Sequence, residues 1–172
     1  EALRRNPTDA RSLAYRSRAQ LELAQYEQAI EDFEEATKLD PRVGSLSDLD
    51  KAIAVAYAER GRAYGDRGKH QLALRELDEA IRRDPQLTIA YTIRSIAYSE
   101  LGQDGQAARD LDAAIRLEPQ GARSYIYRGL AYGKLGQHEL AKDDFEQAIR
   151  VGLPNDDTYY QRGVAFAALG QT

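Results

Sequence analysis

Two hydrophobic patterns alternate along the chain, and both have the spacing of an α-helix. In the first pattern, small and large apolar residues follow each other at steps of four and three, as in Ala141, Phe145 and Ala148. In the second pattern, Tyr125 is followed by Gly129 four residues later and by a further tyrosine after three more. Because a helix has about 3.6 residues per turn, such steps place the apolar side chains on one face. The patterns predict a series of amphipathic helices.

The first pattern is repeated with a fixed period. Its last three copies begin at Ala73, Ala107 and Ala141, which lie 34 residues apart. An earlier copy begins at Ala29, and the interval to Ala73 contains ten extra residues. Glycines, or an acidic residue followed by proline, end most copies of the two patterns, because such residues stop helices. A fixed period of this kind predicts a repeat architecture of antiparallel helix pairs joined by short turns.

The two-helix unit of 34 residues resembles the tetratricopeptide repeat. In that family the second helix carries a small residue, a large apolar residue and another small residue at set steps. The matching residues here are Ala29, Phe33 and Ala36; Ala73, Leu77 and Ala80; Ala107, Leu111 and Ala114; and Ala141, Phe145 and Ala148. The chain departs from the pattern at Ser17, Gln20, Ala24 and Gly152. The resemblance implies an all-α fold, a right-handed α-solenoid of antiparallel helix pairs.

The repeats divide the chain into segments of one domain. We expect residues 1–172 to form a single repeat domain and to be a fragment of a longer array, since both ends cut through a helix pair. The segments are 1–7, the end of a preceding helix; 10–43, repeat 1; 44–53, an insertion extending the next helix; 54–87, repeat 2; 88–121, repeat 3; 122–155, repeat 4; and 156–172, the first helix of repeat 5.

The insertion at 44–53 continues the helical pattern. Leu49 and Ile53 keep the apolar period, and no glycine or proline occurs between residues 45 and 60. Ser45 or Ser47 can cap the start of such a helix. We therefore predict that the first helix of repeat 2 is two or three turns longer than its counterparts. The extension is either a local irregularity or a contact for a partner or a second copy.

Small residues and tyrosines recur on the first helix of each pair. Small residues at these places are expected to let the paired helices approach closely, and the tyrosines to fill the space between layers. An exposed aromatic cage for a ligand is the alternative. The small residues are Gly61, Ser95, Gly129 and Gly163, and the tyrosines are Tyr64, Tyr98 and Tyr132.

An arginine precedes the small residue in every first helix, and an acid precedes the large residue of every complete second helix. The arginines are Arg16, Arg60, Arg94, Arg128 and Arg162, and the acids are Asp32, Glu76, Asp110 and Asp144. A charge beside an apolar stripe is costly unless it is paired, and a guanidinium can bind a carboxylate through two hydrogen bonds. We predict a ladder of partly buried ion pairs such as Arg128 with Asp144. Independent, solvated charges are the alternative.

Composition narrows the possible functions. The 172 residues carry a net charge of −4 with mixed signs along the chain, so no basic surface for nucleic acid is expected. No segment approaches the roughly 20 apolar residues of a membrane-spanning helix. Cysteine is absent, which removes thiolate chemistry, and His70 and His138 lie two repeats apart, too far to share a metal. We predict no catalytic residues, no metal site and no cofactor. The compartment stays open, with the cytoplasm as the default and the periplasm or secretion not excluded.

A second apolar stripe on the first helices predicts a binding groove. In the resembled family the first helices line a concave groove that receives an extended peptide or a partner's helix. Here the groove would be polar and arginine-rich towards the N-terminal side and apolar towards the C-terminal side, with room left by Gly65, Ser99, Gly133 and Ala167. Alternatively, the stripe packs neighbouring first helices together. The candidate groove residues are Arg11, Arg18, Glu22, Arg62, Asp66, Ile89, Thr92, Ile93, Ile96, Arg123, Ile126, Leu130, Tyr160 and Val164.

Some members of that family hold the C-terminal carboxylate of heat-shock chaperones with lysine and asparagine residues. The corresponding positions here are Ala14, Arg18, Glu59, Ile89 and Ile93. This set lacks the required amides and most of the basic groups, so a chaperone-tail receptor is not predicted.

The function predicted from the sequence is a non-catalytic protein–protein interaction scaffold that binds a peptide or helical segment in its groove. Two alternatives remain. One is a regulatory or sensing module attached to an enzyme or envelope assembly outside this chain, and the other is an array that self-assembles through uncapped ends.

Overall fold

The computed structural model describes residues 9–45 and 47–152. Within these residues it contains eight α-helices and no strand, which confirms the predicted all-α class. The helices are α1 (Ala10–Glu22), α2 (Tyr26–Leu39), α3 (Ser47–Asp66), α4 (His70–Arg83), α5 (Thr88–Glu100), α6 (Asp104–Leu117), α7 (Ala122–Lys134) and α8 (His138–Val151). A short 3₁₀ helix, Pro41–Ser45, precedes α3. The predicted segments 1–7 and 156–172, with Tyr160, Arg162, Gly163, Val164 and Ala167, lie outside the described residues.

The chain divides into two compact units, Glu1–Ala90 and Tyr91–Thr172, which we call the N-terminal and C-terminal units. In the N-terminal unit, α1 packs against α2, α2 against α3, and α3 against α4. In the C-terminal unit, α6 packs against α7 and α7 against α8. Each of these neighbours in sequence is therefore a neighbour in space, as expected for helices joined by turns of a few residues.

Most of the turns inside the helix pairs end the first helix with a left-handed glycine. Gly68, Gly102 and Gly136 have φ angles of 71°, 70° and 72°. After each glycine, the next backbone N–H donates to a carbonyl five residues earlier, at 2.8–2.9 Å, which satisfies one of the free helix-end carbonyls. The first pair makes the same turn with Ala24 at a φ of 55°. This alanine is one of the departures seen in the sequence, and it adopts a conformation that glycine accepts at lower cost.

The helix pairs are held close by the small residues on the first helices. A Cβ added to Gly61 would lie 2.9 Å from Cγ of Leu77, and one added to Gly129 would lie 2.9 Å from Cε1 of Phe145. At the same place in the first pair, Ser17 is buried and its hydroxyl donates to the carbonyl of Ala29 at 2.6 Å. The predicted close approach is confirmed, because a Cβ on Gly61 or Gly129 would come closer to side chains of the opposite helix than ordinary van der Waals contact allows.

The predicted ladder of ion pairs is present in all four described helix pairs. Each arginine binds an acid sixteen residues later, and in three of the pairs the guanidinium engages both carboxylate oxygens. The side chains of Arg60, Arg94 and Arg128 are 17–21% exposed, so these pairs are partly buried. One hydrogen bond from each pair is Arg16 Nη2 to Asp32 Oδ1 at 2.5 Å, Arg60 Nε to Glu76 Oε2 at 2.8 Å, Arg94 Nη2 to Asp110 Oδ1 at 2.7 Å and Arg128 Nη2 to Asp144 Oδ1 at 2.6 Å.

Two of the recurring tyrosines, Tyr98 and Tyr132, lie beside arginines of the same ladder. The guanidinium of Arg128 lies 5.7 Å from the ring centre of Tyr125 and 5.8 Å from that of Tyr132, within the range of cation–π attraction. Arg128 also donates through Nη1 to Asp112 on α6 at 2.6 Å. The hydrogen bond to Asp144 raises the pKa of Arg128 well above its ordinary value. These tyrosines therefore flank a paired guanidinium inside the helix layers and do not form an open cage.

The helix α3 is longer than the other first helices, as predicted. It has 20 residues, whereas α1, α5 and α7 have 13 each, which corresponds to about two additional turns. Leu49 and Ile53 on the added turns are buried, so the extension contributes to the core of the N-terminal unit. Leu46 and the side chains of the two candidate capping serines, Ser45 and Ser47, lie outside the described residues.

Candidate functional site

A pocket of about 240 Å³ opens on the surface of the C-terminal unit between α5, α6 and α7. Its walls are mainly apolar, and Ile96, Leu111, Tyr127 and Leu130 contribute most of the large side chains. Leu111 forms the buried floor, whereas Ile96 and Leu130 are each 39% exposed. Two large aliphatic side chains are thus held open to solvent beside a concave surface, an arrangement typical of a binding site.

Polar side chains lie along one edge of the pocket. The ammonium group of Lys134 donates to the hydroxyl of Ser99 at 2.8 Å and lies 3.6 Å from Asp104 Oδ1. Ser99 in turn donates to Asp104 Oδ1 at 2.7 Å. Glu100 also lines the pocket and is exposed. The edge therefore presents one positioned cation and one solvated carboxylate.

The structure brings two of the predicted groove residues together. Ile96 on α5 and Leu130 on α7 occupy the same place in successive repeats and line the same pocket. Gly133 lies one turn further along α7, and the space where its Cβ would lie is open. Ile89 is 37% exposed and belongs to the N-terminal unit, and Arg123 is exposed at the start of α7.

Three other predicted groove residues are buried instead. The exposed fractions of Thr92, Ile93 and Ile126 are 9%, 8% and 3%. Ile126 packs in an apolar cluster that includes Phe145 of α8. They are buried because the face of each first helix that packs against other helices is wider than the tyrosine and glycine positions alone indicate. These three are packing residues, and we leave them out of the proposed binding surface.

Tyr127 and Lys134 line the pocket but were not among the predicted residues. They belong to a regular face of α7, since Tyr127, Leu130 and Lys134 are separated by steps of three and four residues. The predicted stripe contained Ile126, which precedes Tyr127 and therefore points about 100° away from it around the helix. The spacing of three residues between Tyr127 and Leu130 is the feature of the sequence that indicates their common face.

In the N-terminal unit the same repeat positions carry charges. Arg62 on α3 corresponds to Ile96, and Arg18 on α1 corresponds to Arg62 one repeat earlier. Arg18, Arg62, Glu22 and Asp66 are all exposed, and Arg62 Nη2 lies 3.2 Å from Glu59 Oε1. At this one repeat position the exposed residues are therefore arginines in the N-terminal unit and Ile96 and Leu130 in the C-terminal unit.

The remaining predicted charged residue, Arg11, is exposed at the start of α1. The pKa of Asp40 is lowered chiefly by hydrogen bonds from Arg42, with a small contribution from the charge of Arg11. No described contact joins Arg11 to the other predicted groove residues.

A second pocket, of about 290 Å³, lies in the N-terminal unit between the start of α2 and the second half of α3. Tyr26, Glu59, Tyr64 and Arg67 are among its lining residues. Arg60, which also lines it, is already bound to Glu76 at 2.7 Å. Both pockets have charges of both signs, and the lack of a large aliphatic side chain distinguishes this pocket from the one in the C-terminal unit.

The two histidines are the first residues of α4 and α8, His70 and His138. Within residues 9–45 and 47–152, no three histidine, aspartate or glutamate side chains cluster in a way that could hold a metal ion. In the same part of the chain, no helix is long and apolar enough to cross a bilayer.

Antiparallel helix pairs with recurring small residues, an arginine–carboxylate ladder and a pocket lined by first helices define an all-helical repeat protein. Family models described as tetratricopeptide repeat match residues 10–43, 58–122 and 122–151. The chain belongs to the tetratricopeptide repeat (TPR) family.

Solved structures show the same fold. The first TPR of Spaghetti (RPAP3), bound to the HSP90 peptide SRMEEVD, has 28% sequence identity and a TM-score of 0.58, and the match covers 66% of this chain and 91% of that chain. The first TPR domain of human RPAP3 also has 28% identity, with 70% and 95% covered and a TM-score of 0.61. MamA has 21% identity, with 87% and 82% covered and a TM-score of 0.60, and this likeness concerns the fold alone. Among curated proteins, none matches the chain significantly in sequence.

Proposed function

We propose that this chain is a non-catalytic interaction scaffold and that the pocket beside Ile96 and Leu130 receives a peptide or helical segment of another protein. The observation that carries the proposal is the pairing of these two side chains at one pocket, each 39% exposed, on first helices of successive repeats. Large aliphatic groups held open to water cost free energy in the isolated protein. Covering them with a partner recovers roughly 25 cal/mol for each Å² of apolar surface removed from water.

Peptide binding by similar proteins supports this proposal. The first and second TPRs of Spaghetti (RPAP3), at 28% and 27% identity, were each solved with the HSP90 peptide SRMEEVD. The residues of this chain favour a different ligand. Ala14 and Ile93 occupy two of the positions where relatives hold the terminal carboxylate, and both are buried and apolar. We therefore propose an apolar anchor, and not a terminal carboxylate, as the feature that this chain recognises.

A pull-down with three forms of the whole chain tests the proposal. The wild type is compared with a pocket variant, Ile96→Glu with Leu130→Glu, and with a control variant, Leu135→Glu with Leu140→Glu. The control leucines are 44% and 47% exposed, belong to the same unit and do not line the pocket. Both variants change the net charge equally, and the new carboxylates reach water, so both are expected to fold as the wild type does.

A partner that uses the pocket is captured by the wild type and by the control variant but not by the pocket variant. Each captured protein is then purified, and its affinity for the three forms is measured. Capture of the same proteins at the same strength by all three forms contradicts the proposed site. Sedimentation velocity at several concentrations, run in parallel, shows whether the chain associates with itself.

A further inference from the structure

We infer that the occupant of the pocket is an amphipathic α-helix of a partner protein that inserts one large apolar side chain between Ile96 and Leu130. This inference rests on the proposed function and specifies its partner. It chooses between the two ligand forms, an extended peptide and a helix, that a scaffold of this kind can receive.

The size of the pocket favours a single side chain. Its volume is about 240 Å³, below the range of about 300–1,000 Å³ that is common for small-molecule sites. Its floor, Leu111, is 1% exposed and is part of the core, so a ligand can enter no deeper. A leucine, isoleucine or phenylalanine side chain suits a shallow apolar depression of this kind, in the manner of an anchor residue of a helix bound in a groove.

The small number of hydrogen-bonding groups around the pocket favours a helix over an extended peptide. The pocket walls are helices whose backbone groups are largely paired within the helices themselves. Of the five polar side chains of the pocket, the hydroxyl of Ser95 is bound to the carbonyl of Thr92 at 2.7 Å, and Ser99 is bound to both Asp104 and Lys134. A ligand can therefore use only the polar groups of Glu100, Tyr127 and Lys134. An extended peptide lying across Ile96 and Leu130 would leave its own N–H and C=O groups desolvated with few partners, which is costly. A helix satisfies these groups internally.

Charge at the pocket edge defines the rest of the partner surface. Lys134 is 54% exposed and is held in place by Ser99, so a carboxylate beside the anchor residue can reach its ammonium group. Glu100 is exposed on the same pocket and suits a basic residue. The partner helix thus carries an apolar anchor residue with an acidic and a basic residue on either side of it, and this combination fixes the direction of the helix on the surface.

Selection from two peptide libraries tests the inference with the full chain as the target. One library randomises an exposed face of a stable helical miniprotein. The other randomises a linear peptide of equal length with prolines at every third position, which cannot form a helix. Selected sequences from both libraries are measured against the wild type, the pocket variant and the Leu135→Glu, Leu140→Glu control variant.

The expected result is enrichment from the helical library of sequences with one invariant large apolar residue. These binders should lose at least about thirtyfold in affinity with the pocket variant and keep it with the control, the loss expected when a central anchor contact is removed. Selection against Lys134→Glu should replace the acid beside the anchor with a base, and exchanging these charges should alter affinity by up to about fivefold, as for exposed ion pairs.

Two results would overturn the inference and are distinguishable. Pocket-dependent binders from the proline library alone would disprove the helical partner and leave the proposed function in place. Binders from either library that are equally tight for the wild type and the pocket variant would disprove the site itself, and with it both proposals.

Discussion

Arg83, in the last turn of α4, donates through Nη1 to Asp50 Oδ1 in the first turn of α3, at 2.6 Å. The same guanidinium lies 4.9 Å from the ring centre of Phe33 and 5.2 Å from that of Tyr57, and its side chain is 13% exposed. Repeats 1 and 3 have leucine at the position of Arg83, and repeat 4 has valine. Among the described repeats, only repeat 2, which contains the extended helix, therefore has an arginine where the others have an apolar residue.

Removing the carboxylate of Asp50 should loosen the start of α3. We expect Asp50→Asn to lower the free energy of unfolding by roughly 1–3 kcal/mol, the usual cost of losing a hydrogen bond between charged groups, with Glu79 still holding Arg83 at 2.7 Å. Urea unfolding measures the change, and hydrogen exchange should accelerate in the first two turns of α3. Asp66→Asn, an exposed change on the same helix, should shift stability by no more than about 0.5 kcal/mol. Equal effects of the two substitutions would show that the pairing contributes nothing.

The left-handed alanine at the first turn predicts a stabilising substitution. Ala24→Gly should raise the free energy of unfolding by about 0.5–1 kcal/mol, because φ is 55° there and glycine adopts that conformation without a Cβ clash. Ala19→Gly, at an exposed position inside α1, should instead lower it by about 1 kcal/mol. Thermal and urea unfolding of the two variants check the opposite signs. A loss of stability with Ala24→Gly would mean that the strain is absent.

Two glycines on α7 should respond in opposite ways to alanine. A Cβ on Gly129 would lie 2.9 Å and 3.0 Å from ring atoms of Phe145 and 3.2 Å from the carbonyl of Ala141, so Gly129→Ala should cost about 1–3 kcal/mol. Gly133→Ala meets no atom within 4 Å and should be neutral or stabilising by up to about 1 kcal/mol. The melting temperatures of the two variants provide the comparison. If both substitutions destabilise equally, close packing at Gly129 is not the cause.

The peptide SRMEEVD, which occurs in structures of similar domains, should bind this chain no better than a scrambled peptide of the same composition. The reason is that Ala14 and Ile93 are buried and carry no polar group for a terminal carboxylate, and that the charge of Arg62 is already paired with Glu59 at 3.2 Å. Isothermal titration of both peptides at low and physiological salt measures this. Sequence-specific binding of SRMEEVD would show that Arg18, the one basic group at the corresponding positions, is sufficient or that basic groups elsewhere replace the missing ones.

The agreement between sequence and structure was greatest where a feature recurs. The period of 34 residues, the turn glycines and the arginine–acid spacing each occur several times, so these patterns are not expected to arise by chance. The spacing alone was therefore enough to predict the pairing of Arg128 with Asp144. The agreement was weakest on the open face of the first helices, where each repeat carries different residues. Ile126 and Leu130 lie about one turn apart on α7, and neither hydrophobicity nor spacing tells which neighbour covers them. Leu130 proved exposed and Ile126 buried.

Spacing along the chain was enough to predict the helix pairs, their turns, the lengthening of α3 and the ladder of charge pairs, because each of these features depends on residues at fixed intervals. Packing between the helices decides which side chains are exposed to solvent and which side chains of successive repeats line the same pocket. Thr92, Ile93 and Ile126 are covered, whereas Ile96 and Leu130 remain open at one pocket. Exposure depends on the distance to atoms far away in sequence, and a helical period fixes only the direction in which a side chain points.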